Sequence, residues 1–362
     1  MSRKFQIDRD VAVALGVMVL IMCAGALSVH SAVLEQTGIF VRQLAWYGIG
    51  MVLMVGLAQI DYRWVVTLAG PVFAIVVLLL VGVLFVGQSG GGSQRWLGVG
   101  PLRLQPSEFA KVAVLLWSVH WCAKRPKPGG YTIRDLLAPT FVLLVPVVLT
   151  ARQPDLGTAV AILVIGVGVF WVAGIERRLQ FGLIVSGLVS VVLAWFYVLK
   201  PYQKKRIVGF LDPESDPLGA GYHIIQSKIA VGVGGVRGLG FGHGTQTQLR
   251  FLPEQHTDFI FAVWAEEWGF FGVCVVLALF AWLFWWLART AIEARDTAGR
   301  LLTAGVLLHL ALHVGMNLAM VAGWAPVVGL PLPWMTYGGS AILANSIALG
   351  LAFSVRQHRR MF

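Results

Sequence analysis

The sequence predicts an all-α, polytopic integral membrane protein with about ten transmembrane helices, both termini cytoplasmic and one long outer loop. Three observations predict it. First, 57% of the 362 residues are hydrophobic and only 12% are charged, with a mean hydropathy of +0.77. A soluble domain carries about 25% charged residues, so this chain has too little charge to cover a soluble surface of its size. Second, apolar runs long enough to cross a hydrocarbon core of about 30 Å recur along the whole chain. Third, basic residues divide unequally between alternate connections. Composition thus excludes soluble, disordered and fibrous classes. The formal charge of +11 would suggest nucleic acid in a soluble protein; here topology accounts for it, and no nucleic-acid partner is expected.

The spans are read at 11–33, 40–59, 65–87, 108–123, 136–151, 157–175, 179–199, 260–288, 301–324 and 338–355. The first exceeds the apolar region of a signal peptide, and Asp8 and Asp10 stand in its basic leader. The segments 108–123 and 136–151 are short, as expected of recessed helices or helices flanked by interfacial turns. An even number of spans puts both ends on one side. That side receives sixteen of the 28 Lys and Arg, the short opposite loops receive five, and the remaining seven lie on 200–257. The positive-inside rule then makes both termini cytoplasmic. The chain reads as one transmembrane domain, 1–362, with 200–257 as a large extracytoplasmic loop within it. Cys23, Cys122 and Cys274 sit in apolar runs without a C-x-x-C pair, so they read as small buried hydrophobes.

Three outward connections, 88–107, 152–156 and 200–257, are unusually polar or long, whereas the cytoplasmic loops are short and basic. Any chemistry therefore belongs to the outer face, away from ATP. The stretch GVGGVRGLGFGHG at 232–244 contains no G-x-G-x-x-G and follows no βαβ pattern. It reads as irregular or close-packed backbone at the membrane surface.

Ionisable groups at membrane depth are functional candidates by default, because each costs several kcal/mol. Glu108 and Lys111 share a helix face at i, i+3, just after the helix-start residues Pro106 and Ser107. They suit either a local ion pair or the charged wall of an outer cavity. Asp155, after Gln153-Pro154, suits a helix N-terminus. Asp258 stands where the long loop turns into the span at 260–288, beside Phe259, Ile260 and Phe261. Apolar neighbours raise a carboxylate's pKa, and such a group can take a proton from a sugar hydroxyl; a helix cap is the alternative. Glu266 and Glu267, deeper in that span, call for cationic partners or a watery cavity, with Arg42 as one possible partner. His309 and His313 at i, i+4 fit helix–helix contacts better than a metal site. The run Tyr202, Gln203, Lys204, Lys205, Arg206 suits a pyrophosphate lipid headgroup or a merely solvated loop.

Four blocks then coincide in order: GGSQRWLGVGPLRLQPSEFAK, RQPDLGTA, the stretch from YQKKR through FLPEQHTDFIFAVWAEEWGFFG, and PVVGLPLPWMTYGGS. Together they resemble the SEDS family (shape, elongation, division and sporulation), and the compact termini and short outer loops are RodA-like. The resemblance covers nearly the whole chain. It implies a peptidoglycan glycosyltransferase in the bacterial cytoplasmic membrane that polymerises lipid II and works with a class B penicillin-binding protein. It assigns the catalytic aspartate to Asp258 and places Glu108, Lys111 and Asp155 around an outer cavity, with Arg42 as a weaker match. Arg206, Gln203, Arg42 and Lys111 are expected to meet the donor's pyrophosphate. No closed metal site is legible, so any Mg²⁺ or Mn²⁺ would be held mainly by substrate phosphates. The final block departs from the family pattern in Thr336 and Ala341, and His313 stands where a Gln is common. Two other readings suit ten helices with intramembrane charges: a lipid II flippase, and a non-catalytic scaffold for the transpeptidase.

Overall fold

The structure is a computed structural model that describes residues 8–34, 37–90, 93–99, 102–215, 219, 221–249, 251–252 and 254–360. Helix α1 (Arg9–Ala32) opens on the cap Asp8, whose side chain accepts from Asp10 N, and α2 (Thr37–Gln59) returns beside it. The predicted span 65–87 is divided. The short α3 (Tyr62–Thr67), capped by Asp61, turns at Leu68 into α4 (Ala69–Val86). Next comes a small antiparallel sheet in the order β1 (Gln88–Gly90), β2 (Ser93–Val99), β3 (Leu102–Leu104). The sequence reading had treated this stretch as loop; its glycines and single alternations hide so short a strand signal.

Helix α5 (Pro106–Lys124) starts on Pro106, whose missing N–H costs nothing at a first helical position. The bundle continues with α6 (Ile133–Arg152), α7 (Leu156–Gly174) and α8 (Arg177–Leu193), the last extended by a π-turn at Ala194–Val198. The long loop is itself largely helical, containing α9 (Pro201–Leu211), α10 (Tyr222–Gly234) and α11 (Thr245–Gln248). Three long helices close the fold: α12 (Ile260–Ile292), α13 (Thr297–Val321) and α14 (Gly339–Gln357).

Among the described residues, nine helices are long and apolar enough to cross a membrane. The remaining predicted span, 108–123, is α5, a 19-residue helix of similar length that is too polar to join them. It is surrounded by protein instead, packed against α4, α7, α13 and α14. A helix shielded in this way can carry Glu108 and Lys111, which lipid would not tolerate. By contrast α8 buries no residue at all. Of the three cysteines, which form no disulfide, only Cys122 is buried; Cys23 and Cys274 lie on exposed helix faces.

Helix α12 is not continuous. Gly269 adopts φ 61°, ψ −161°, a conformation open essentially to glycine alone. The break frees the carbonyls of Glu266 and Glu267, which accept from Leu239 N and Gly240 N, both at 3.0 Å. On its other side Phe270 N donates to Gly235 O at 2.9 Å and Phe271 N to Val236 O at 3.3 Å. The glycine-rich segment is thus the close-packed backbone expected, threaded into the helix itself. Among the described residues, Glu266 and Glu267 form no ion pair with a cation; loop backbone and hydroxyl donors meet them instead. Glu266 accepts from Gln246 N (2.7 Å), Thr247 N (3.2 Å) and the hydroxyls of Thr245 and Thr247. Glu267 accepts from Gly242 N at 3.1 Å and from the Ser31 hydroxyl. Backbone N–H groups satisfy a buried carboxylate as a cation would, and these two pin the loop to α12.

Candidate functional site

At the end of the bundle remote from the termini, a cavity of about 450 Å³ is lined by Arg206, Gly219, His223, Glu254, Asp258, Phe259 and Val327. Asp258 is half-buried and immediately precedes Phe259, the N-cap of α12. The loop-to-helix turn thus places its carboxyl at the mouth of the bundle. Burial, followed by the charge of Glu254, pushes its pKa up to about 6, against the opposing pull of Arg206. Glu254 itself sits at a left-handed φ of 50°; strained non-glycine backbone is characteristic of functional sites.

His223 on α10 stacks on Phe259, with ring centroids 6.0 Å apart, and its buried Nδ1 has no hydrogen-bond partner among the described residues. Burial and the nearby Arg206 hold it below the ordinary histidine pKa, so it faces the cavity as a neutral ring. Arg206 is exposed on α9, with Nη1 3.5 Å from Val327 O.

Asp155 approaches from a second side. Its Oδ1 caps α7 by accepting from Thr158 N at 3.3 Å, and its Oδ2 accepts from Gln105 Nε2 at 3.3 Å. Arg95 on β2 lies 3.8 Å from the same Oδ2 and donates Nε to Gln153 O at 3.2 Å. Asp155 is therefore a helix cap, and it stands behind the cavity lining rather than in it. Its charge and that of Arg95 reach Asp258. Gly157 permits this arrangement: a Cβ there would stand 2.2 Å from Val328 O, so only glycine lets α7 approach the α13–α14 connection.

Glu108 and Lys111 form a buried pair in which Lys111 Nζ donates to both carboxylate oxygens at 2.8 Å. Lys111 Nζ also meets His313 Nε2 at 2.9 Å. Lys111, expected to meet the donor's pyrophosphate, is instead fully buried inside α5 and does not line the cavity, so its charge is spent on Glu108. His309 bonds Asn345 Oδ1 at 2.8 Å, a helix–helix contact as expected, and no group of three or more metal-ligating side chains occurs among the described residues.

Of the sequence candidates, Asp258 and Arg206 line the cavity; Gln203 and Arg42 stand apart from the lining, as do Asp155, Glu108 and Lys111. Gln203 closes the first turn of α9, accepting from Lys200 N at 2.8 Å, a local capping role. Arg42 is exposed and donates Nε to Gly38 O one turn back on α2.

The sequence profile of a family described as a cell cycle protein family, FtsW/RodA/SpoVE, matches residues 6–361. The chain belongs to this family. It is 41% identical over 345 residues to the peptidoglycan glycosyltransferase MrdB of Escherichia coli (strain K12), covering 95% of this chain and 93% of that protein. It is 30% identical over 415 residues to the peptidoglycan glycosyltransferase RodA of Treponema pallidum (strain Nichols), covering 93% and 95% of the two. Among solved structures, a chain from a peptidoglycan synthase complex that coordinates polymerization and crosslinking superposes with a TM-score of 0.83. That chain is 32% identical, with 96% of this chain and 98% of that one covered. The rod shape determining protein RodA of Thermus thermophilus superposes with a TM-score of 0.71 at 30% identity, covering 96% of each chain.

In this FtsW/RodA/SpoVE protein, the structure places Arg206 and Asp155 each within electrostatic reach of Asp258 and adds Glu254, His223 and Arg95 to the candidates. Glu254 stood inside the quoted FLPE block and His223 directly after Tyr222, but neither carries a spacing that betrays a cavity. Arg95 was counted only as a loop cation. Its pairing with Asp155 depends on β2, which the sequence did not reveal.

Proposed function

We propose that this chain is a peptidoglycan glycosyltransferase that polymerises lipid II at the outer face of the bacterial cytoplasmic membrane, with Asp258 as general base. One observation carries the reading. A carboxylate whose pKa is raised to about 6 faces a cavity of about 450 Å³ that also presents the guanidinium of Arg206. An ionised carboxylate of that basicity is suited to accept a proton from a sugar hydroxyl at neutral pH. The glycosyltransferase names of relatives matching over nine-tenths of the chain support the same class.

In the proposed reaction Asp258 takes the proton of the acceptor's GlcNAc 4-hydroxyl as that oxygen bonds the donor's anomeric MurNAc carbon. The bond from that carbon to the lipid pyrophosphate breaks, and the pyrophosphate leaves with the electron pair. One direct displacement inverts an α-linked donor into a β-linked strand. The transition state carries oxocarbenium character, as in other glycosyl transfers, and negative charge grows on the leaving group. Arg206 is the cation lining the cavity that can meet it. Arg95 is held by Asp155 and the Gln153 and Pro154 carbonyls, which suits it to positioning that carboxylate.

Among the described residues lining the cavity, Asp258, Glu254 and His223 could ligate a metal, and they do not form a three-ligand cluster. These residues do not enclose a cation on their own. Any Mg²⁺ or Mn²⁺ would take most of its ligands from the substrate's phosphates. The likeness to a synthase complex that joins polymerization to crosslinking supports a class B penicillin-binding protein as partner.

The test is synthesis of glycan strands from lipid II by purified protein. The parent is expected to make polymer, with and without a transpeptidase partner, whereas Asp258→Asn folds normally and makes none. Polymer from Asp258→Asn at the parent rate would overturn the assignment.

A further inference from the structure

Beneath Asp258 runs the connection between α13 and α14. A methyl group at Gly329 would lie 3.8 Å from Asp258 Oδ2, so residues 329–331 form the floor on which the carboxylate rests. Two residues one turn apart on α13 hold that floor. Asn317 Nδ2 donates to Asp258 O at 3.0 Å and to Leu330 O at 3.1 Å, so a single amide ties the backbone of Asp258 to the floor. His313 Nδ1 meets Pro331 O at 3.0 Å, and its Nε2 meets Lys111 Nζ at 2.9 Å. A carbonyl on one side and an ammonium on the other assign the proton to Nδ1 and leave Nε2 as acceptor. Lys111 is in turn held by both oxygens of Glu108. Asn317, His313 and Lys111 are all fully buried.

We infer that His313 and Asn317 are positioning residues that fasten the 329–331 backbone between the Glu108–Lys111 pair and Asp258, so that the Asp258 carboxylate is held over the cavity. The inference rests on the reading of Asp258 as the base. Neither residue lines the cavity, so they act on the placement of the base rather than on substrate binding. They also give the buried Glu108–Lys111 pair a function: it is the far anchor of the floor. The chemistry required at 313 is one donor and one acceptor on opposite sides of a planar group. Glutamine supplies both and leucine neither. At 317 two donors are required, and serine is too short and has only one.

The experiment measures polymerisation of lipid II by full-length protein, as kcat and KM across pH, with the folded fraction of each variant normalised. Displacement of a reacting group by about 1 Å costs about 100-fold in rate. H313L and N317S are therefore expected to lower kcat about 10- to 100-fold, with KM within about threefold of the parent. H313Q is expected to retain kcat within about threefold, a rescue that follows from its paired donor and acceptor. The acid limb of the parent is expected near pH 6, where burial together with Glu254, Arg206, Asp155 and Arg95 places the Asp258 carboxyl. In N317S a loosened carboxylate reaches water, and the limb moves down toward the ordinary aspartate range. A purely structural role would change only the amount of folded protein, leaving kcat per folded molecule and the limb where they are.

Parent-like kcat and limb in H313L and N317S overturn the inference, as does an H313Q as damaged as H313L. Should H313L fail to accumulate in the membrane, N317S carries the same prediction from the other end of the floor. D258N assayed alongside separates the two readings. Activity in D258N overturns the base itself, whereas an inactive D258N with parent-like H313L and N317S overturns only the positioning.

Discussion

At the scale of single residues, Asp258 couples function to instability. Its pKa of about 6 stands above the ordinary 3.8 because the fold makes ionisation unfavourable. The native state therefore binds the proton more tightly than the unfolded chain. Stability contributed by this group rises as pH falls from 6 toward 4 and is lost as pH climbs through 6. A difference of roughly two pKa units corresponds to about 3 kcal/mol, less whatever water reaches this half-buried carboxyl. Asp258→Asn removes the charge at constant shape. It is expected to melt higher than the parent at pH 7.5 while losing at least about 100-fold in polymerisation. A melting temperature at or below the parent's would show that the carboxylate is not strained by its site. Activity of the parent should fall tenfold per pH unit below about 6, the protonation of this one base. Its position was legible in the sequence as a carboxylate at a loop-to-helix turn beside three apolar side chains, which suits a cap as well as a base; the resemblance alone chose the base. Glu254 and His223 were not legible, because a cavity is assembled by α9, α10 and α12 together and leaves no local spacing.

At the scale of elements, α12 shows what a run of apolar residues conceals. Residues 260–288 read as one unbroken span because hydrophobicity alone is satisfied by any helix, continuous or broken. The break at Gly269 is imposed by the backbone of 235–240, which takes over the hydrogen bonds that the helix gives up. A Cβ on residue 269 would stand 2.3 Å from Gly238 N. Gly269→Ala must therefore expel the glycine-rich segment or distort the helix, and backbone strain alone at such a position costs about 1–3 kcal/mol. The expected outcome is rapid proteolytic cleavage within 235–249 in detergent-solubilised protein that the parent resists. Glu266 acts on the same element from its side chain. Its carboxylate receives two backbone N–H groups and two hydroxyls. Glu266→Ala leaves those donors without partners, at about 1–3 kcal/mol for each that stays buried, and should expose the same segment. Protease resistance in both variants would mean that the loop is held by something other than this exchange.

At the scale of the whole molecule, the succession of apolar helices was readable because it obeys bilayer thickness, which acts on every segment alike. The exception, α5, follows from the same physics: a helix surrounded by protein is free of the lipid's demand for apolarity, so its hydropathy underreports its depth. What no span-by-span reading reveals is how the two ends of the chain are joined. Asp8 N donates to Gln357 Oε1 at 2.9 Å, and the almost fully buried Arg356 pairs with Asp10 on α1 and with Glu293 just past α12. Arg359 and Arg289 converge on the same Glu293. The first and last described segments, at Asp8 and at Arg356–Arg359, therefore lie together at the end of the bundle opposite the cavity. The network has a hierarchy that can be measured. Asp10 and Glu293 are each about a third exposed, so loss of either alone leaves Arg356 one partner and should cost only about 1 kcal/mol for Asp10→Asn. Glu293→Gln should cost more, because three guanidiniums then face one another. The double variant strands the buried Arg356 charge, a situation worth about 3–5 kcal/mol, so its loss of melting temperature should exceed the sum of the single losses. Strict additivity in that double-mutant cycle would mean that Arg356 reaches water when its partners go, and that the chain ends are not held by this cluster.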